Sequence, residues 1–474
     1  MAKKQKKEIE FGTDGWRGVI SDNFTYKNVA IVAQALCEWI KKDAKIKKGQ
    51  KKVVAVGYDA RFLSREYAEI VSSVLAKNNI GVFLSKDIIP TPALSYGVVD
   101  LKGVCGVMIT ASHNPAKFNG VKIKTAEGGG AGKDITDKVE KYLHKTPVKT
   151  MDYLDAVDAK KIILHDFKKS YFKFMRNYLD LPKLKSSKFK IIQDVMHGSG
   201  GTVLKDVLND TSLDIHLMRE DVNPSFEGVK PEPIEDYVPE ILQRVKKEKF
   251  DIGLILDGDA DRIAAVDSNG EYINPQRILA LLTVHLVRNR GRSGGVVITT
   301  CGSMIMKHIS DKLGLKLYET PVGFKYISDL MVNERIVAGG EEAGGMGVQD
   351  YIPERDGTLA GLLLVEMMVY QNKNIKQILD EMEKEFGRYY YTRSDLDLRG
   401  RKFDKAKIAK IDKLLDEKVV KVQTEDGVKL ICEDESWLML RPSGTEPLVR
   451  AYSEAKSLKK AKELLKVGES LLEK

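Results

Sequence analysis

The sequence predicts an α/β protein that has three similar mixed-sheet α/β domains in series and a smaller α+β domain at its C-terminal end. Three segments follow one local plan, in which an apolar strand leads through a small or acidic turn into a helical pattern; they begin at Val53, Lys190 and Gly294. Repeated strand–helix units of this kind are typical of α/β domains. After about Gly387 the plan changes, which indicates a domain of a different kind.

The chain has 474 residues, more than one hydrophobic core usually holds, so we expect several domains. We place them at residues 1–155, 156–272, 273–386 and 387–474. Within the last domain, the pattern predicts a strand over 389–398, a helix over 405–418, short strands between 430 and 452, and a closing helix from Lys456.

The composition indicates a cytoplasmic protein that neither spans a membrane nor binds nucleic acid. No apolar run approaches the roughly 18 residues of a membrane span. The basic start, MAKKQKKEIE, is not followed by the apolar stretch of a secretory signal. The net charge is +9, but the lysines alternate with acidic residues along helical stretches, which is typical of solvated faces. A modest positive balance also suits an enzyme with anionic substrates.

The cysteines predict neither a disulfide framework nor a zinc site. All four are widely separated and none belongs to a C-x-x-C pair, so we expect reduced, mostly buried thiols at Cys37, Cys105, Cys301 and Cys432.

The segment TASHNPAKFNGVKI, residues 110–123, presents a serine on a turn. An apolar run that ends at Ile109 predicts a short buried strand, and Asn114-Pro115 is a strong turn signal, so Ser112 should lie at the exit of a strand. α/β folds place their chemistry at strand exits, which makes Ser112 a candidate nucleophile. The alternative is that its hydroxyl only caps the turn.

The segment DGDADR is the candidate metal site, and it lies between two apolar strand patterns. In an extended loop, residues two apart project to the same side, so Asp257, Asp259 and Asp261 can converge on one hard cation, most naturally Mg²⁺. An EF-hand is excluded because Arg262 and Ser268 occupy the positions that need glycine and glutamate. The alternative is a polar hairpin in which Arg262 alone offsets the repulsion between the carboxylates.

The segment RPSGTEPLVR, residues 441–450, is a candidate phosphate site. Its small residues allow a ligand to approach the backbone, and its two arginines can bind phosphate oxygens; the candidates are Arg441, Ser443, Gly444, Thr445 and Arg450. An SGT turn is also common where no ligand binds.

Two further loops are candidates for binding a phosphorylated sugar. In GGEEAGGMG, Glu341 and Glu342 lie on a permissive backbone and can accept hydrogen bonds from sugar hydroxyls, although an ordinary mobile loop has the same pattern. In TPVGFKYI, Lys325 follows the flexible Gly323 and suits an anionic sugar derivative. Other glycine-rich stretches lack the spacing of a Walker A loop or of a dinucleotide-binding fingerprint.

Taken in chain order, these motifs resemble those of the α-D-phosphohexomutase superfamily, in particular its phosphoglucomutase and phosphomannomutase branch. The similarity runs from FGTDGWRG near the start to RPSGTEPLVR near the end and so covers nearly the whole chain. TASHNPAKFNGVKI resembles the phosphoserine loop, DGDADR the metal loop, GGEEAGG the sugar loop and RPSGTEP the phosphate loop. The resemblance implies four domains around a central cleft, the last of them mobile.

The resemblance also implies a mechanism. Ser112 would carry a phosphoryl group, and a phosphate oxygen on Ser112 would join the three aspartates around one Mg²⁺ per chain. A hydroxyl of a phosphorylated hexose would take that phosphoryl group, and the product, glucose 1,6-bisphosphate for a glucose substrate, would serve as intermediate or activator. Lys122 matches the family's catalytic lysine, and we expect it to shuttle the proton, with a pKa lowered by a nearby cation.

The same resemblance places Arg17 and Arg262 where they help to hold the phosphoserine, and His113 where it orients a phosphate oxygen. As the residue directly after Ser112, His113 is poorly placed to act as its base unless the backbone twists.

The motifs disagree about the sugar. Ala343 replaces a serine that many family members have in the sugar loop, the GFK of residues 323–325 resembles glucose-type enzymes, and the first and last motifs also resemble phosphoglucosamine mutases. We expect interconversion of glucose 1-phosphate and glucose 6-phosphate, with mannose phosphate second and glucosamine phosphate third. A metal-dependent sugar phosphatase and a non-catalytic sugar-phosphate-binding homologue are the alternatives from other classes.

Overall fold

A computed structural model describes residues 9–12, 14–443 and 448–472. The chain forms two compact units, one made of residues up to 278 together with 343–376, the other of 279–342 and 377–474. The α/β class with a distinct C-terminal domain is confirmed.

The first sheet of the first unit is mixed and has six strands. Its central strands Val53–Tyr58, Gly81–Ser85 and Cys105–Ile109 run parallel, and Phe118–Lys124 pairs antiparallel with Cys105–Ile109. Trp16–Val19 and Ile162–His165 form the edges. The associated helices span Tyr26–Lys42, Ser64–Lys77, Thr91–Leu101, Lys133–Tyr142 and Tyr153–Asp158. Val53–Tyr58 and Cys105–Ile109 are buried on both faces, which explains why their sequences are continuous apolar runs.

The second sheet of this unit has five strands and is also mixed. Lys190–Asp194 pairs parallel with Asp214–Met218 and with Ile252–Leu256, which continues antiparallel into Ile263–Val266 and then Tyr272–Ile273. The remaining elements of the unit are the helices Phe167–Tyr178, Leu181–Leu184, Val203–Val207, Pro239–Glu248 and Gly357–Gln371, the 3₁₀ turns Phe226–Gly228 and Glu235–Tyr237, and the strand Met346–Val348.

The helix Gly357–Gln371 begins at a buried carboxylate. Asp356 caps it by accepting a hydrogen bond from the Leu359 N–H at 2.8 Å, and the hydroxyls of Tyr171 and Tyr351 donate to its other oxygen at 2.8 and 2.9 Å. Burial outweighs these hydrogen bonds and raises the pKa of Asp356 from 3.8 to about 7.

We expect the Asp356 carboxyl to make the stability of the protein depend on pH. Between about pH 4 and 7 the folded protein holds a proton that the unfolded chain releases. The free energy of unfolding should therefore fall as pH rises through this window, by roughly 1.4 kcal/mol per pH unit at most, and this contribution should be constant above it. In Asp356→Asn, urea unfolding at several pH values should show that this slope is lost. The exposed cap variant Asp152→Asn should keep the slope, and an unchanged slope in Asp356→Asn would contradict the assignment.

The second unit contains a parallel arrangement of three strands, in the order Lys316–Thr320, Gly295–Thr299, Ile336–Gly340. Ile305–Leu313 and Phe324–Asn333 are its crossover helices. Two further helices span Pro275–Arg288 and Ile375–Phe386. The three strand–helix units that begin at Val53, Lys190 and Gly294 are thus all present, as predicted.

The C-terminal sheet of the second unit is antiparallel. Its six strands lie in the order Tyr390–Asp397, Leu448–Ala455, Trp437–Pro442, Val428–Cys432, Glu417–Gln423, Lys413–Leu414, and the helix Leu458–Ser470 packs against the sheet. This helix starts two residues after the predicted Lys456, because the side chain of Ser457 caps it by accepting from the Lys460 N–H.

The predicted helix over 405–418 is wrong. Only Lys405–Ile408 is helical, and the chain then forms a hairpin between Lys413–Leu414 and Glu417–Gln423. The apolar residues have helical spacing, but Leu415 takes a positive φ of 50° in the turn, and Ile408 and Leu414 are buried in the core of the sheet domain. Tertiary packing therefore overrides the local helical pattern.

Two expectations from composition are consistent with the structure. All four cysteines are free and buried. Among the described residues, no helix has both the length and the apolar character needed to cross a bilayer.

Candidate active site

Two strand exits in the first unit bring a serine and three aspartates together. Ser112 follows the strand Cys105–Ile109, and Asp257 follows the strand Ile252–Leu256. The hydroxyl of Ser112 donates a hydrogen bond to Oδ2 of Asp257 at 2.9 Å, and both side chains are fully buried. The serine and the acidic loop, which are 145 positions apart in the sequence, thus form one site.

The backbone at Ser112 is held in a strained conformation. Its φ of 52° lies in the left-handed region, which non-glycine residues adopt rarely and which is concentrated at functional sites. The Ser112 N–H donates to Oγ1 of Thr110 at 2.9 Å. A Cβ at Gly258 would lie 2.5 Å from the Ser112 carbonyl oxygen, so only glycine lets the acidic loop approach this closely.

A buried arginine that the sequence analysis did not single out supports the serine turn. Arg61 donates to the carbonyl oxygens of Ser112 and Asn114 at 2.6 Å each, and to those of Pro115 and Phe118 at 3.0 Å each. Four carbonyl groups on one guanidinium fix the shape of the turn. The only signal in the sequence is that Arg61 closely follows the strand pattern of residues 53–58.

The three aspartates form a compact, fully buried group. One carboxylate oxygen from each of Asp257, Asp259 and Asp261 lies within 4.8 Å of the others. Burial and repulsion by the two other carboxylates raise the pKa of Asp257 well above its usual range. Oδ1 of Asp259 and Oδ1 of Asp261 accept no hydrogen bond from the described residues, which is costly for buried carboxylates unless a cation binds there. The residues therefore fit a hard divalent cation.

Lys122 lies against the same carboxylates. It is buried, and its Nζ lies 2.9 Å from Asp14 and Asp259 and 3.0 Å from Asp261. Burial alone would lower the pKa of Lys122, but the three carboxylates outweigh it and raise the pKa above the usual value. The expectation of a lowered pKa is therefore wrong for this structure, because the nearest charges are negative.

His113 lies beside the serine hydroxyl, with its Nδ1 3.3 Å from Oγ of Ser112. The left-handed backbone at Ser112 supplies the twist that this contact needs. Burial lowers the pKa of His113 well below its usual range, and the positive charges of Arg262, Arg17 and Lys122 lower it further. His113 is therefore neutral in a positively charged environment that suits an anion.

The two arginines predicted beside the serine are both in this unit. Arg17 donates to the Asn114 side chain at 2.6 Å, and its Nη2 lies 3.7 Å from Asp14. Arg262 lies against the aspartates, with its Nε 3.8 Å from Oδ1 of Asp261. Both remain partly exposed and so can contact a bound group.

Three more residues that the sequence analysis did not name belong to this cluster. Thr91 donates to Oδ2 of Asp259 at 2.6 Å, and Arg355 bridges Asp14 and Asp261 at 2.8 and 2.7 Å. Two of these residues had a recognisable feature in the sequence. Asp14 lies within the FGTDGWRG motif, and Arg355 lies among the charged residues that precede a helix. Thr91 lies at the start of a helix, and no feature of the sequence pointed to it.

The predicted sugar-binding residues lie in the second unit. Glu341 and Glu342 directly follow the strand Ile336–Gly340, and Oε2 of Glu342 accepts from Thr299 at 3.3 Å. Gly323, with a φ of 134°, precedes the helix Phe324–Asn333, which has Lys325 in its first turn.

The predicted phosphate-binding arginines also lie in the second unit. Arg441 and Arg450 are directly opposite each other on antiparallel strands, so both project from the same face of the sheet. Asp426 accepts a hydrogen bond from Nε of Arg441 at 2.8 Å. The Ser443 N–H donates to the Leu448 carbonyl at 2.8 Å, while Gly444 and Thr445 lie outside the described residues.

Comparison with known proteins matches the chain to four domain families in order. They are described as phosphoglucomutase/phosphomannomutase alpha/beta/alpha domain I over residues 8–149, domain II over 169–270, domain III over 274–386, and the C-terminal domain over 399–467.

Full-length relatives agree with these matches. A phosphoglucomutase/phosphomannomutase from Thermococcus kodakarensis is 30% identical over 464 residues, 98% of each chain. A phosphoglucosamine mutase from Methanocaldococcus jannaschii is 29% identical over 433 residues, 90% of this chain and 93% of the relative. The crystal structure of a Thermus thermophilus protein, provisionally named as a phosphomannomutase, has a TM-score of 0.86 at 31% identity and covers 98% of this chain and 99% of its own. This chain is therefore an enzyme of the phosphohexomutase type and belongs to the phosphoglucomutase/phosphomannomutase family.

Proposed function

We propose that the chain interconverts glucose 1-phosphate and glucose 6-phosphate by way of a phosphoserine at Ser112 and a bisphosphorylated sugar. The observation that carries this proposal is the hydroxyl of Ser112, which lies on a strained turn 2.9 Å from the aspartate cluster. His113 lies beside this hydroxyl, and the positive charges of Arg262 and Arg17 act on His113, so the three residues suit a bound phosphoryl group.

In the first half-reaction, the bond between phosphorus and the Ser112 oxygen breaks as phosphorus bonds to a sugar hydroxyl oxygen. The proton of that hydroxyl must leave, and Lys122 is the residue we assign to hold and return it. The second half-reaction reverses these changes at the other phosphate of the sugar, so phosphoserine is regenerated and no phosphate is released. Arg441, Ser443 and Arg450 are assigned to the phosphate that does not react, Glu341 and Glu342 to the hydroxyl groups of the sugar, and Lys325 to the negative charge of the phosphorylated sugar.

Asp257, Asp259 and Asp261 would hold one Mg²⁺, since one oxygen of each lies within 4.8 Å of the others, and Oδ1 of Asp259 and Oδ1 of Asp261 are buried without a hydrogen bond from the described residues. When bound, the cation would neutralise charge on the transferring phosphoryl group and reduce the negative charge that keeps the proton on Lys122. Arg262 and Arg17 would hold the phosphoryl oxygens in line with the attacking hydroxyl.

The sugar is the open part of this proposal. The GFK segment favours glucose, whereas relatives such as the Methanocaldococcus jannaschii protein are named as phosphoglucosamine mutases. Glucosamine 1-phosphate, ranked third from the sequence alone, is therefore proposed as the second candidate, ahead of mannose 1-phosphate. Ala343 gives the sugar loop no hydroxyl, so the carboxylates of Glu341 and Glu342 are the residues we expect to discriminate between sugars.

The test is product analysis in the presence of Mg²⁺ and a trace of the matching sugar bisphosphate. The 1-phosphates of glucose, mannose and glucosamine are used as substrates, and their kcat/KM values are compared. We expect the highest value for glucose 1-phosphate, with 6-phosphate formed and no inorganic phosphate. A higher value for glucosamine 1-phosphate would transfer the assignment to the second candidate. Release of one inorganic phosphate per sugar consumed would instead indicate a phosphatase.

A further inference from the structure

In two of the three clustered aspartates, Asp259 and Asp261, only one of the two carboxylate oxygens accepts hydrogen bonds from the described residues. Oδ2 of Asp259 accepts from Thr91 Oγ1 at 2.6 Å and from Lys122 Nζ at 2.9 Å. Oδ2 of Asp261 accepts from Lys122 Nζ at 3.0 Å and from Arg355 Nη2 at 2.7 Å. Oδ1 of each is buried and accepts no hydrogen bond from the described part of the chain.

A carboxylate oxygen has two lone-pair sites, and in each Oδ2 both are occupied. Asp259 and Asp261 can therefore each offer one oxygen to a cation, and neither can bind it through both oxygens. Mg²⁺ accepts single oxygens in a small octahedral shell, whereas Ca²⁺ takes more ligands and commonly uses both oxygens of a carboxylate.

We propose that Thr91 and Arg355 are positioning residues that give this site its preference for small divalent cations over Ca²⁺. They do so by confining Asp259 and Asp261 to one ligand oxygen each. The inference rests on the proposed function, because it concerns the cation that the three aspartates would hold. It adds a cause of selectivity that lies outside the ligands themselves.

Thr91 is the better position for a test because its backbone makes a separate contact. Its N–H donates to the Asp259 carbonyl oxygen at 3.0 Å, so the acidic loop stays attached when the side-chain hydroxyl is removed. Thr91→Val keeps the shape of the side chain and leaves one lone-pair site of Asp259 Oδ2 open. Thr91→Ser keeps the hydroxyl and is the matched control.

The experiment uses the full-length protein after treatment with EDTA. Binding of Mn²⁺ is measured by electron paramagnetic resonance, and Mg²⁺ and Ca²⁺ are then titrated as competitors. For the wild type we expect Mg²⁺ to displace Mn²⁺ at lower concentrations than Ca²⁺ does. In Thr91→Val, the ratio of the Ca²⁺ concentration to the Mg²⁺ concentration needed to displace Mn²⁺ should fall about tenfold. A tenfold change is about the effect of losing one charge-assisted hydrogen bond.

Two further variants complete the design. Thr136→Val removes another buried threonine hydroxyl of the same unit, which donates to the Gly132 carbonyl oxygen at 3.3 Å, and should leave the ratio unchanged. Arg355→Met removes Nη2, the nitrogen that donates to both Asp14 and Asp261, and should shift the ratio in the same direction as Thr91→Val.

The outcomes separate this inference from the proposed function. If the wild type binds Mn²⁺ but Thr91→Val keeps its ion preference, or Thr91→Ser loses it as well, the inference is wrong while the metal site stands. If the wild type binds none of the three ions, the metal part of the proposed function fails and the inference fails with it.

Discussion

Ser112→Ala should reduce turnover by roughly four to six orders of magnitude, as expected when the nucleophile of a covalent mechanism is removed. Alanine has no oxygen to carry the phosphoryl group. The fold should persist, since the substitution removes one hydrogen bond to Asp257, worth about 1 kcal/mol. Arg61 still holds the carbonyl groups of the turn.

Three measurements check this result: the rate of 6-phosphate formation, the midpoint of thermal unfolding, and intact-protein mass after incubation with a hexose bisphosphate. The wild type should gain the mass of one phosphoryl group, and Ser112→Ala should gain none. Ser72→Ala removes a buried hydroxyl in the same unit that donates to the Ala68 carbonyl oxygen of its own helix at 2.8 Å, and should keep full activity. Near-normal turnover by Ser112→Ala would place the nucleophile elsewhere.

Much of this site could be predicted from short-range patterns. The strand Cys105–Ile109 and the strands on either side of DGDADR are apolar runs, and alternate aspartates in a loop between strands converge without knowledge of the rest of the fold. The serine at a strand exit could be predicted in the same way, because residue order alone determines it.

The charge state of Lys122 could not be predicted, because its partners come from distant parts of the chain. Asp259 and Asp261 are 137 and 139 positions away, and no pattern indicated that Asp14 would join them. The sequence suggested a nearby cation, whereas the fold places three carboxylates around Lys122.

Thr91 and Arg355 were missed for the same reason. Thr91 is 168 positions from Asp259, and Arg355 is 94 positions from Asp261. A threonine at a helix start carries no local sign of such contacts, and an arginine in a charged stretch indicates nearby charges but not the distant carboxylates that it meets. The failed helix over 405–418 shows the converse, since a good local pattern was overridden when Ile408 and Leu414 packed under a sheet.

Lys122→Met should destabilise the metal-free protein by about 3–5 kcal/mol, the usual consequence of removing one partner from a buried ionic cluster. The substitution leaves Asp14, Asp259 and Asp261 with Arg355 as the nearest remaining cation among the described residues that contact them. Turnover should fall as well, because the proposed proton carrier is absent. Lys122→Arg keeps the positive charge and should recover most of the stability, although not the activity, since its pKa is too high for proton transfer.

The pH dependence of this loss follows from the charges. Without Lys122, the pKa values of the buried carboxyls should rise, so the folded variant binds protons that the unfolded chain releases. The difference in unfolding free energy between variant and wild type should therefore shrink as pH falls. Urea unfolding in EDTA at several pH values measures this, and a variant as stable as the wild type near neutral pH would contradict the charge cluster described above.

Added Mg²⁺ should restore part of the stability of Lys122→Met, because a cation bound by the three aspartates would replace the missing positive charge. Binding to the folded state alone stabilises it by RT ln(1 + [L]/Kd), so the unfolding midpoint should rise with Mg²⁺ concentration. The rise should be larger for Lys122→Met than for the wild type, in which the ammonium group of Lys122 already offsets part of the same charge. The double variant Lys122→Met, Asp259→Asn should lose most of this rescue, since one ligand is gone. Equal stabilisation of all three proteins would mean that Mg²⁺ acts elsewhere on the chain, and the aspartates would then no longer be its proposed site.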